Sequence, residues 1–279
     1  MKEAYTIISE VMAELIVGSK GETRSEDTMK VITVATQKGG VGKTTTALAL
    51  TAGLTERGYK TLLVDVEGQR NASLTVGTQS DKPTVLEVLT GEATAREAIT
   101  ESLIGDFISG NKRLSLIDKL IDEERQYTAL RDALKPLNRS YDYCVIDTPP
   151  ALGTLTLNAL TASDFVIVPC EADLYSLQGL TDLAETIEAV RAGTNKKLKT
   201  LGILLTKHST RYTLSKELQE TLEQLTTAFN TRVFDTYIRY SQKCREAQFK
   251  PQGLLKYAPR STVAQDYKAL TDEILHLLE

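Results

Sequence analysis

Short runs that are apolar on both faces recur along this 279-residue chain. Val31-Ile32-Thr33-Val34-Ala35, Leu62-Leu63-Val64 and Cys144-Val145-Ile146 are the clearest. Between them lie longer stretches with apolar residues three and four apart, the spacing of one helix face. Burial on both faces is what a parallel sheet needs when helices cover it above and below. The pattern predicts strands at 30–35, 61–66, 106–109, 143–147, 165–169, 200–206 and 232–238. It predicts helices at 44–57, 127–134, 177–191 and 214–228, among others. The expected fold is α/β, a doubly wound and mostly parallel sheet. Such a sheet binds its ligand beyond the carboxyl ends of its strands.

Residues 1–29 stand apart. Ile7, Ile8, Val11, Met12, Leu15 and Ile16 follow helical spacing, and residues 18–28 read as a polar connector. The expected organisation is an N-terminal helical extension with linker, 1–29, and one large domain, 30–279. Glu3, Glu10 and Glu14 on the extension argue against an anionic membrane surface, where lysine and arginine are the usual polar residues. No stretch approaches the apolar length of a membrane span. Three cysteines, Cys144, Cys170 and Cys244, are far apart and form no Cys-x-x-Cys pair. That argues against a thiolate metal site and suits a reducing cytoplasm. The formal net charge is −4, yet seven lysines and arginines and no acid fall between Arg191 and Lys216. Seven more basic residues, against Asp235 and Glu246, fall between Thr231 and Arg260. A basic face able to hold a polyanion would produce this asymmetry, and so would lysines scattered over several faces.

The chemistry is concentrated in Thr36-Gln37-Lys38-Gly39-Gly40-Val41-Gly42-Lys43-Thr44-Thr45-Thr46, between a predicted strand and a predicted helix. A glycine-rich turn there aims successive amides into one small space, and the helix adds the positive end of its dipole, so phosphate is the expected occupant. The residues expected around a nucleotide are Lys38, Gly39, Gly40, Val41, Gly42, Lys43, Thr44 and Thr45. Lys43 would reach the outer phosphates and the Thr44 hydroxyl would ligate magnesium. The general pattern wants glycine five residues before Gly42, where this chain has Gln37, and a second lysine, Lys38, stands at the loop's mouth. Downstream, Tyr143-Cys144-Val145-Ile146-Asp147-Thr148-Pro149-Pro150 is an apolar strand ending in a carboxylate. Asp147 there could hold magnesium through water.

The loop with its extra lysine resembles the "deviant Walker A" ATPases of the ParA/Soj/MinD superfamily. Leu62-Leu63-Val64-Asp65-Val66-Glu67-Gly68-Gln69-Arg70-Asn71 is similar to the ParA pattern Asp-x-Asp-Pro-Gln-Gly-Asn. Asp65, Gln69 and Asn71 match it; Glu67, Gly68 and Arg70 replace aspartate, proline and glycine. Pro149–Leu160, Leu177–Leu180 and Tyr257–Ser261 resemble further ParA stretches, whereas Ile238–Ala247 departs from the usual Ile-Pro-Arg-Asn, with Arg239 in the proline's place. The resemblance implies a cytoplasmic, nucleoid-associated partition ATPase using ATP and Mg2+, which forms a homodimer on ATP. It implies non-specific DNA and a ParB-type centromere-binding protein as partners, and no membrane. Lys38 would reach the other copy's phosphates, Asp65 would orient water or the metal shell, and Glu67 would take the water-orienting place by position. Arg211, Lys243 and Arg245 would face DNA. Two alternatives stay open: a MinD-like membrane-cycling ATPase, and a nucleotide-dependent dimer switch that hardly hydrolyses.

Overall fold

The computed structural model describes residues 28–77, 81–173, 180–208 and 216–279. The expected extension therefore lies outside the described residues, except for Thr28 and Met29, as does the Leu177–Gly179 part of one ParA-like stretch. Among the described residues seven strands form one sheet: β1 (Lys30–Val34), β2 (Thr61–Asp65), β3 (Ile99–Thr100), β4 (Asp106–Ile108), β5 (Tyr143–Asp147), β6 (Phe165–Glu171) and β7 (Lys199–Thr206). Their order is β3-β4-β2-β5-β1-β6-β7, and every pairing is parallel except β3 with β4. The two-sided apolar runs become the central strands: β2 and β5 are buried at every position. Cys144 and Cys170 are small buried residues of β5 and β6, as their apolar surroundings predict.

Helix α1 (Lys43–Glu56) follows β1, and the short α2 (Asn71–Val76) follows β2. One face of the sheet packs on α1 and on the last helix, Thr262–Leu278, through Leu50, Leu54, Val263, Tyr267 and Leu270. The other face splits into two apolar clusters, one around Thr154–Ala162 and the other around Thr181–Ala192. Gly53 is where α1 meets the last helix most closely. A Cβ there would stand 2.4 Å from the Thr271 hydroxyl oxygen, so glycine is what lets the two helices touch.

The predicted strand at 232–238 is a correction. Its aromatic and β-branched composition reads as strand, but the segment makes only isolated bridges, Ile203 with Val233 and His208 with Arg239. The Glu273 carboxylate accepts from the amides of Asp235 and Thr236 at 2.8 and 2.9 Å, which removes them from any ladder. The segment stays at the sheet edge through a few main-chain hydrogen bonds to β7, such as those from the Phe234 and Ile238 amides to the Ile203 and Leu205 carbonyls, and through Phe234 packed over Gly202.

Candidate nucleotide site

The loop between β1 and α1 turns through left-handed backbone at Gly40 (φ 76°) and Gly42 (φ 94°), conformations that other residues adopt only at a cost. Gly42 is also the residue before α1, whose first turn has no side-chain cap and no acidic residue. Its amides and the positive end of the helix therefore face the cleft, as anion binding requires. Two contacts fix the loop from behind. Thr206 at the end of β7 donates to the Val41 carbonyl at 2.8 Å, and the Lys43 ammonium donates to the Lys38 carbonyl at 3.1 Å. Thr46 meets the buried Tyr267 hydroxyl at 3.2 Å, so the last helix supports the same turn.

The cleft in front of the loop has a volume of about 430 Å3. Gly39, Gly40 and Gly42 to Thr45 form its floor, Glu67, Gln69 and Asn71 one wall, and Pro150, Gln248 and Phe249 complete the rim. Gln248 and Phe249 carry no sequence signal for this place; they arrive through the chain's far end. Lys43 is 7% exposed, and burial holds its pKa below the ordinary lysine value, opposed by the charges of Asp147 and Glu67.

Adjacent strands bring Asp65 and Asp147 into register at the ends of β2 and β5. Their surroundings differ completely. Asp65 accepts from the Glu67 amide at 3.0 Å, and from the Ser73 amide and hydroxyl at 2.9 and 2.6 Å. Ser73 in turn accepts from the Gly110 amide at 2.8 Å. A Cβ on Gly110 would stand 3.0 Å from the Asp65 carboxyl carbon, so glycine permits that close approach. Asp65 thus organises the chain around Glu67 with both oxygens already engaged. Asp147 is fully buried, and neither of its oxygens has a hydrogen-bond partner among the described residues. Burial and the neighbouring Asp65 push its pKa well up, while the Thr44 hydroxyl and Lys43 pull the other way.

An orphaned buried carboxylate beside a threonine hydroxyl and a phosphate-binding loop fits a hard cation with oxygen ligands. Among the described residues no cluster of three His, Cys, Asp or Glu could hold a metal. Magnesium suits this arrangement, because it keeps several waters and takes one or two protein groups plus phosphate oxygens. Thr44 and Asp147 would be those groups. A carboxylate whose folded pKa is raised costs nothing below its unfolded pKa and lowers stability as pH rises through the folded value. Asp147→Asn is therefore expected to melt no lower than the parent chain at pH 8 without magnesium. It should lose most of the added stability that Mg·ADP gives the parent. A full magnesium-dependent gain in the variant's thermal melt would reject Asp147 as a cation group.

Lys38 stands at the outer edge of the loop, paired with Asp173 at 3.3 Å with both side chains well exposed. Glu67 is 6% exposed, burial raising its pKa. The phosphate-loop residues, Glu67 and Asp147 are thus gathered in one place. The residues assigned to DNA are not part of it. Arg211 lies outside the described residues. Lys243 and Arg245 are exposed on the short helix Gln242–Ala247, where Lys243 pairs with Glu246 at 2.7 Å and lies over the Tyr257 ring. Several other cations of the two basic stretches also have intramolecular partners: Lys207 pairs with Glu171, and Arg239 with Asp266.

A family model described as an AAA domain matches residues 29–200. The chain is 34% identical over 261 residues to the chromosome partitioning protein ParA of Myxococcus xanthus, spanning 92% of this chain and 91% of that one. It is 37% identical over 244 residues to the chromosome-partitioning ATPase Soj of Thermus thermophilus, spanning 88% and 94%. Among solved structures, cobyrinic acid a,c-diamide synthase from Mycobacterium smegmatis with bound ATP analog and magnesium matches with a TM-score of 0.75 at 32% identity, over 89% of this chain and 95% of that one. With its phosphate loop built on a parallel sheet and this breadth of likeness, the chain belongs to the ParA/Soj family of phosphate-loop ATPases.

Proposed function

We propose that this protein is a magnesium-dependent ATPase of DNA partition. On this reading ATP brings two copies face to face, the dimer binds DNA without sequence preference, and a ParB-type centromere-binding protein stimulates hydrolysis. The observation that carries the reading is the cleft with the fully buried Asp147 behind it, close enough for the Thr44 hydroxyl and the Lys43 charge to act on its carboxyl, at the foot of an uncapped helix. Lys43 and the loop amides would hold the phosphates, and Thr44 and Asp147 the cation. Magnesium, when bound, would neutralise charge on the phosphate oxygens. Glu67 would orient the attacking water, and Lys38 would cross to the other copy's phosphates as an arginine finger does. The domain division at residue 29, with a separate extension before it, belongs to the same proposal.

Arg211, Lys243 and Arg245 form the proposed DNA face. The exposed Lys243–Glu246 pair is no obstacle, because such surface pairs contribute little. Membrane cycling in the manner of MinD has less support. Val263, Ala264, Tyr267, Leu270 and Ile274 of the last helix are buried against the domain, and no helix among the described residues is long and apolar enough to cross a membrane.

Retention on DNA measured with ATP, with ADP and without nucleotide, across a salt series, tests the proposal. With about six phosphate contacts per dimer, three from each copy, log affinity should fall against log salt with a slope of roughly −5. Only the ATP form should bind tightly. Binding that ignores nucleotide state would remove the partition mechanism.

A further inference from the structure

The wall of the cleft shows how the chain accommodates its glutamate at 67. Glu67 has one methylene, and one torsion, more than the aspartate of the family pattern. A displacement of about 1 Å at a reacting group can cost roughly a hundredfold in rate. Something must therefore fix where this longer side chain points.

The local backbone supplies it. The Glu67 amide donates to Asp65 at 3.0 Å, and the Arg70 amide donates back to the Glu67 carbonyl at 3.0 Å. Arg70 adopts a left-handed conformation (φ 61°) at the position where the family pattern has glycine, and α2 begins at the next residue. This turn places residue 71 over residue 67. The Asn71 side-chain amide donates one hydrogen to a Glu67 carboxylate oxygen at 3.1 Å and the other to the Gln69 side-chain carbonyl at 3.3 Å. Glu67, Gln69 and Asn71 all line the cleft opposite the glycines of the loop. An amide that donates to a carboxylate also favours its charged form.

We propose that Asn71 is a positioning residue, which holds the Glu67 carboxylate toward the cleft through their direct hydrogen bond and so offsets the longer side chain at that place. This deepens the ATPase reading above and rests on it. The side-chain amide of Asn71 is engaged by Glu67 and Gln69. It acts through Glu67, and an aspartate at 67, one methylene shorter, would fall out of its reach.

That difference makes the test. Single-turnover phosphate release is measured with Mg·ATP and random-sequence duplex DNA for four full-length chains: the parent, N71A, E67D and N71A/E67D. Mg·ADP affinity is measured for each by calorimetry. N71A should lower the rate about a hundredfold while ADP affinity changes less than threefold. In the E67D background the same replacement should change the rate less than threefold. An equal loss in both backgrounds would mean that Asn71 only supports α2, and would overturn the assignment. So would loss of ADP binding together with rate in N71A, because the damage would then be to the fold. N71Q, which keeps a donor amide, should recover part of the parent rate, and no recovery counts against the hydrogen bond as the cause. A parent chain that binds ADP but releases no phosphate would instead defeat the ATPase reading itself.

Discussion

Lys38→Ala should leave ATP binding within a few-fold of the parent while lowering dimer-dependent hydrolysis by about 10^3-fold or more, the scale of a missing arginine finger. The geometry favours such a clean separation. The Lys38 side chain is exposed, and its partner Asp173 is also on the surface, so the lost ion pair costs little stability. The contribution of residue 38 to the loop is its main-chain carbonyl, which receives the Lys43 ammonium, and alanine keeps that carbonyl. The loop should therefore stay formed and still grip phosphate. Calorimetry with Mg·ATP and phosphate release with DNA and the centromere-binding partner would measure the two effects side by side. Equal loss of binding and turnover would contradict a role for Lys38 in the neighbouring copy.

Lys43→Ala should have the opposite profile, damaging both. Lys43 is the buried cation of the cleft, with Asp147 and Glu67 as its charged neighbours. A hydrogen bond to a charged group is worth roughly 1.5–3 kcal/mol, so ATP affinity should fall by about 10- to 150-fold. Hydrolysis should fall by a further 10^2- to 10^3-fold, as when one preorganised donor to the developing charge is removed. The replacement also leaves Glu67 and Asp147 without their shared cation, which favours their protonated forms. Unaltered ATP affinity in the variant would remove Lys43 from the phosphate site.

The contrast between the two lysines was legible in the sequence, because both belong to one continuous loop whose neighbours are a strand and a helix. Asp147 was legible for the same reason: it ends an apolar run. What local pattern could not reach was decided by residues distant in the chain. Glu273 takes two amides out of a segment that reads as strand, from 37 and 38 residues away. β3 is two residues long, too short to leave a periodicity. Phe249, at 83% exposed, looks like a stray surface aromatic until the fold sets it at the rim of the cleft. The departures at 67, 68 and 70 were visible as single differences. Their joint effect, a turn that brings Asn71 onto Glu67, needed the backbone.

The glycine turn spans residues 36–46, yet Tyr267 behind it lies 221 positions after its partner Thr46. On a ribosome the glycine loop would leave the exit tunnel long before its rear wall existed. Any nucleotide met at that moment would face a turn still lacking the hydroxyl that meets Thr46.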